Sequence, residues 1–158
     1  DIRWYLPEYW LERFNLDEDP MELFKSHVDK LRFYPEVRSV LGKLSQRYDL
    51  TIASSAPKNI IAIMTEKLQR YFKYIYSPVS DFNEVKKTPH FYKLICEAME
   101  IKPCFMLHIG DEWDCDYISP RKIGAKSLYL CRSGEKRGKS VIRDLNELED
   151  HLANSTLE

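Results

Sequence analysis

Four carboxylates crowd one short stretch: Asp111, Glu112, Asp114 and Asp116 follow directly after Gly110 and an apolar run at residues 104–109. Like charges so close repel one another unless something positive sits among them. Upstream, Ser54 and Ser55 follow a second apolar run, Leu50-Thr51-Ile52-Ala53. A lysine pair, Lys86-Lys87, closes the loop after a third, Tyr74-Ile75-Tyr76. Hydroxyls and amides bind phosphate oxygens, an ammonium offsets their charge, and carboxylates supply hard oxygen ligands. This is the inventory for holding a phosphoryl group beside a magnesium ion.

For these groups to meet, each must sit at the carboxyl end of a strand in one parallel sheet, where open α/β sheets bind ligands. The hydrophobic pattern predicts such a sheet. Before about residue 48 it is helical. Pro7 opens one helix through Phe14, Asp19-Pro20 is an N-cap and first-turn pair for a second, and Pro35 opens a third with Val37, Val40, Leu41 and Leu44 as its apolar stripe. After residue 48, strands alternate with helices. Strands are predicted at 50–53, 74–76, 104–109 and 127–131, and helices from Pro57 through Leu68, at 89–99, near 118–123 and at 141–152. That alternation specifies an α/β fold with a Rossmann-like parallel sheet.

The composition excludes several classes. The chain has 158 residues, 44% apolar and 31% charged, which suits a globular domain with one real core. With 24 basic against 25 acidic residues, its net charge of −1 predicts no nucleic-acid partner. No uncharged apolar run approaches ~18 residues, so no membrane span is predicted. Cys96, Cys104, Cys115 and Cys131 form no C-x-x-C pair and read as free thiols of a reducing, cytoplasmic compartment. Leu157-Glu158 reads as a cloning scar and is set aside.

From residue 34 to 131 the chain resembles the haloacid dehalogenase-like hydrolase superfamily, mostly Mg-dependent phosphatases. Tyr34-Pro35-Glu36-Val37 resembles the return from a helical cap into the core. Leu50 to Ser55 resembles the second motif, a strand ending in Ser or Thr. Lys86-Lys87-Thr88-Pro89-His90-Phe91-Tyr92 resembles the third, usually Lys-Pro-x-Pro-x-x-aromatic; the alignment of Pro89 and Tyr92 favours Lys86 as the site lysine. His108-Ile109-Gly110-Asp111 with Asp116, Pro120, Gly124 and Ala125 resembles the fourth. The resemblance implies that Ser54 bonds the transferring phosphoryl group, assisted by the N–H of Ser55. It implies that Lys86 offsets negative charge, that Asp111 ligates Mg²⁺, and that Asp116 binds a metal-bound water or orients the lysine. The substrate implied is a small phosphorylated metabolite.

The family's first motif, Asp-x-Asp-x-Thr on the central strand, has no counterpart here. Its first aspartate is the nucleophile that forms an aspartyl-phosphate, its second the general acid and base. Asp17-Glu18-Asp19 has the spacing, but a helical pattern precedes it and Asp19 reads as a cap; Asp1 has no strand before it. The chain is therefore expected to be the C-terminal part of a longer protein. Residues 1–33 would be a partial helical cap, and residues 34–158 a core lacking its central strand. Two other functions compete: a phosphate-binding or scaffold domain without catalysis, and a metal-free haloacid dehalogenase, against which Gly110-Asp111-Glu112 argues. Ser133 to Ser140 differs from the P-loop pattern only by Ser133 in place of glycine and is read as an exposed loop. His108 reads as a satisfied core histidine. Trp4, Tyr5, Trp10 and Phe14 read as packing between cap helices.

Overall fold

The computed structural model describes residues 1–155, so Leu157-Glu158 lies outside them. The chain divides into two compact units, Asp1–Lys87 and Thr88–Glu158. The residue-33 boundary expected for a cap falls inside the first.

In the first unit, α1 (Pro7–Arg13), α2 (Pro20–His27) and α3 (Val37–Leu44) precede β1 (Thr51–Ala53). Then come α4 (Lys58–Met64), β2 (Tyr74–Tyr76) and α5 (Pro78–Asp81). Proline at the first position of α1, α2 and α5 uses a residue that lacks the N–H a helix start leaves unbonded. Asp19 caps α2, accepting from Met21 N–H at 2.7 Å and Glu22 N–H at 3.3 Å. β1 and β2 pair in parallel, Ile52 opposite Ile75. Val40, Leu44, Ile60, Ile61 and Leu68 are buried. α1 and α2 contribute no buried residue. Trp10 stacks on Phe14 with centroids 6.0 Å apart, yet Trp4, Trp10 and Phe14 remain exposed.

The second unit contains α6 (Pro89–Ala98), β3 (Leu107–Gly110), α7 (Ser119–Arg121), β4 (Lys126–Leu130), β5 (Val141–Ile142) and α8 (Leu148–Ser155). The strands form a parallel sheet in the order β3-β4-β5. Thr88 caps α6 by accepting from Phe91 N–H at 3.2 Å, and Pro89 opens it. Phe91, Tyr92, Ile95, Leu128, Ile142 and Leu148 fill the core.

Several elements differ from the sequence pattern for local physical reasons. The helix from Pro57 ends at Met64, and a 3₁₀ turn carries Leu68. The strand before Gly110 starts only at Leu107, because Pro103 opens a 3₁₀ turn. Trp113–Ile118 winds as a single π-helical turn ahead of α7. Gly124, in the left-handed region at φ +85°, then reverses the chain into β4. The helix expected from Val141 begins at Leu148. Val141 and Ile142, both β-branched, pair instead with Tyr129 and Leu130 as an edge strand. Among the described residues no helix is long and apolar enough to cross a membrane.

Candidate active site

Alternation along β3 places His108 and Gly110 on one face. The side chain of Asp116 covers both. A Cβ added at Gly110 would fall onto Asp116 Oδ2 and Cγ and lie 2.7 Å from its Cβ. Glycine is thus required here by close approach, not by its backbone angles. Asp116 is 2% exposed. A carboxylate so deep is costly unless donors surround it. Three do: His108 Nε2 at 2.9 Å and Tyr92 O–H at 3.3 Å on Oδ1, and Glu112 N–H at 3.1 Å on Oδ2. To donate, His108 carries its proton on Nε2. Asp116 N–H returns to Glu112 C=O at 2.7 Å, closing the turn from both sides.

Tyr92 arrives from α6, packed edge-on to His108 with centroids 4.9 Å apart. Its one hydroxyl hydrogen is shared between Asp116 Oδ1 and the Cys115 carbonyl, the latter at 2.9 Å. Burial, reinforced by the charge of Asp116, pushes the phenol far above its ordinary pKa, so Tyr92 remains a donor. Residues on one strand, one helix and one π turn therefore lock the end of β3. Asp111, Glu112 and Asp114 project from it, exposed.

In the first unit, Ser54 continues the ladder beyond β1, its N–H donating to Tyr76 C=O at 3.1 Å. Its Oγ accepts from Ala56 N–H at 3.3 Å, a turn that leaves the hydroxyl hydrogen available to a ligand. Ser54 and Ser55 are half-buried. At the end of β2, Asp81 anchors α5: it accepts from Ser77 N–H at 2.8 Å and pairs with Lys58 at 2.6 Å. Ser80 accepts from the Lys58 N–H at 3.0 Å. Lys86 is exposed and Lys87 half-buried in the loop that ends this unit. No hydrogen bond or ion pair joins Lys86 to Ser54 among the described residues.

Sequence reasoning had no role for Tyr92 and His108 as joint holders of Asp116, or for the Lys58–Asp81 pair. The one available signal was the spacing of His108 and Gly110, which puts them on a common strand face. As for metal, Asp111 is a free-standing hard oxygen donor that fits a magnesium ion. Both oxygens of Asp116 are already engaged by protein donors, which suits it to hold the turn. Among the described residues no three His, Cys, Asp or Glu side chains converge as a metal cage.

Solved structures share this fold. A HAD phosphatase from Thermococcus onnurineus is 25% identical, with a TM-score of 0.84, over 96% of this chain and 73% of that one. A predicted phosphoglycolate phosphatase from Haemophilus somnus 129PT is 16% identical with a TM-score of 0.72, over 92% of this chain and 66% of that one. A 2-haloacid dehalogenase from Pseudomonas syringae pv. tomato DC3000 is 18% identical with a TM-score of 0.66, over 78% of this chain and 54% of that one. No curated protein sequence matches. Residues 8–130, which contain Ser54, Lys86, Asp111 and Asp116 in order, match the model of the haloacid dehalogenase-like hydrolase family; the chain belongs to that family of enzymes.

Proposed function

We propose that this chain is the core of a magnesium-dependent phosphomonoesterase acting on a small phosphorylated metabolite. The observation that carries the reading is the turn after β3: a buried Asp116 with three donors fixes the strand end, and Asp111 stands exposed on it. A rigid base under an exposed carboxylate suits a hard cation, which needs oxygen ligands held in place. Bound there, Mg²⁺ supplies Lewis-acid polarisation of a phosphoryl oxygen.

The protein's own groups do the positioning on which phosphoryl transfer depends. Ser54 donates its hydroxyl, and Ser55 its N–H, to phosphoryl oxygens. Lys86 offsets their charge. Asp116, oriented by His108 and Tyr92, keeps Asp111 in place. The attacking group in this reading is the first aspartate of an Asp-x-Asp pair contributed from outside these 158 residues. Its carboxylate oxygen bonds phosphorus as the ester oxygen leaves with a proton from the second aspartate; water then cleaves the aspartyl-phosphate. β1 and β3 each have a strand neighbour on one side only among the described residues, so each offers an edge to a further strand. Residues 1–33, helical and without a buried side chain, suit part of a cap. The free cysteines, three buried and Cys104 exposed, suit a cytoplasmic protein.

The test is Asp111→Ala in the protein carrying the complete chain, assayed for Mg²⁺-dependent phosphate release from small phosphomonoesters. Loss of turnover with an unchanged circular dichroism spectrum is expected. Retained Mg²⁺-dependent turnover overturns the reading, and metal-independent halide release from a 2-haloacid replaces it with the dehalogenase.

A further inference from the structure

The loop between β4 and β5, the P-loop look-alike, is exposed as expected, Lys136, Arg137, Gly138 and Lys139 all lying at the surface, but local bonds give it a definite shape. Cys131 Sγ accepts the Lys136 N–H at 3.4 Å, and Gly134 turns in the left-handed region at φ +74° beside the Arg143 side chain. The result is an open cavity of about 400 Å³ at the surface, lined by Lys136, Arg137, Gly138, Val141, Arg143 and Glu147. Three of these side chains are cations. Among the described residues no carboxylate lies within ion-pairing distance of any of the three. Glu147, the one acid in the wall, accepts from the Arg143 N–H at 3.0 Å. Residues 132–143 carry Arg132, Lys136, Arg137, Lys139 and Arg143 against Glu135 alone, in a chain whose net charge is −1. Three exposed cations around one open depression, against a single acid already engaged by a backbone N–H, attract a multivalent anion.

The cavity is tied to the end of β3. Gly110 pairs with Tyr129, and Tyr129 with Val141, so Val141 lies two strand spacings, roughly 10 Å, from Gly110. The Lys136 ammonium rests 4.1 Å from the ring centroid of Trp113 and 5.0 Å from that of Tyr129. Trp113 is two residues beyond Asp111. The family match stops at residue 130, before the loop begins.

We propose that this cavity is a second phosphate site, which makes the substrate a small metabolite bearing two phosphate groups, the unreactive one held by Lys136, Arg137 and Arg143. The proposal rests on the reading of Asp111 as an active-site carboxylate. The first test needs no catalysis. Inorganic phosphate is titrated into ¹⁵N-labelled protein, following the amides of Gly134, Lys136, Gly138 and Arg143 separately from those of Ser54 and Ser55. Saturable shifts at the cavity are expected, weakened roughly ten- to hundredfold by Arg137→Gln with Arg143→Gln, with the Ser54 and Ser55 response unchanged. Absence of a saturable cavity response, or one that survives the double substitution, overturns the site. Tighter binding of a short DNA duplex to the same amides overturns its assignment to a small ligand.

The second test uses the protein with the complete chain. The double variant raises KM for a sugar bisphosphate roughly ten- to hundredfold, with p-nitrophenyl phosphate hydrolysis unchanged. Phosphate binding without that selective change makes the cavity an effector site and overturns the substrate role. Failure of the wild type to hydrolyse either compound, with the cavity amides still responding, overturns the phosphatase reading and the substrate role while the anion site stands.

Discussion

Replacing Gly110 by alanine tests the account of the β3 turn directly. The added Cβ lands on the Asp116 carboxylate, 2.7 Å from that residue's own Cβ. Asp116 cannot step aside freely, because it is 2% exposed and receives three hydrogen bonds. Overpacking a filled site costs about 1–3 kcal/mol. Displacing the carboxylate from His108 and Tyr92 adds about 1–3 kcal/mol for buried polar groups left without their partner. A loss of 3 kcal/mol corresponds to a melting temperature roughly 6–12 °C lower for a chain of this size. Urea and thermal denaturation of G110A, D116A and the double variant measure it. Asp116→Ala removes two of the three atoms in the clash, so the double variant should be more stable than the summed single costs by about 1–2 kcal/mol. A G110A protein within about 0.5 kcal/mol of wild type, or strict additivity, would refute the close-approach argument.

Tyr92→Phe should cost about 1–2 kcal/mol at neutral pH, from the lost bonds to Cys115 C=O and Asp116. Its pH dependence carries a sign. The folded phenol is held above its ordinary value, so the stability it contributes is fully present below pH ~10 and falls by about 1.4 kcal/mol per unit above it. The gap between wild type and variant should therefore narrow above pH ~10, and parallel curves there would show that burial does not hold the proton. Native protein treated with a thiol reagent should label Cys104 rapidly, and Cys96 and Cys115 only on unfolding; mass spectrometry of the early product identifies the site, and prompt labelling of either of these buried thiols contradicts the burial pattern.

Much of the fold was legible because its signals are local. Pro7, Pro20 and Pro89 open helices, and Asp19 and Thr88 cap them, by chemistry confined to four or five residues. The runs ending at Ala53 and Tyr76 are rich in β-branched and aromatic residues, and those ending at Gly110 and Leu130 are short apolar runs between turn residues. The order of Ser54, Lys86, Asp111 and Asp116 behind those strands was readable for the same reason, and so was the family.

The amino-acid sequence by itself thus determined the helix starts at Pro7, Pro20 and Pro89, the parallel α/β alternation and the set of polar groups carried on strand ends. The tertiary structure alone decided which distant residues those groups touch. Whether Val141-Ile142 is helix or strand turned on Tyr129 and Leu130, whose backbone it completes. The role of Asp116 turned on Tyr92, 24 residues away, and on a glycine it must touch. The cationic cavity exists only because the β4–β5 loop brings Lys136 and Arg137 to Arg143. Periodicity and capping are short-range and can be counted along a chain; burial, charge pairing and close approach depend on which distant residues arrive at the same place.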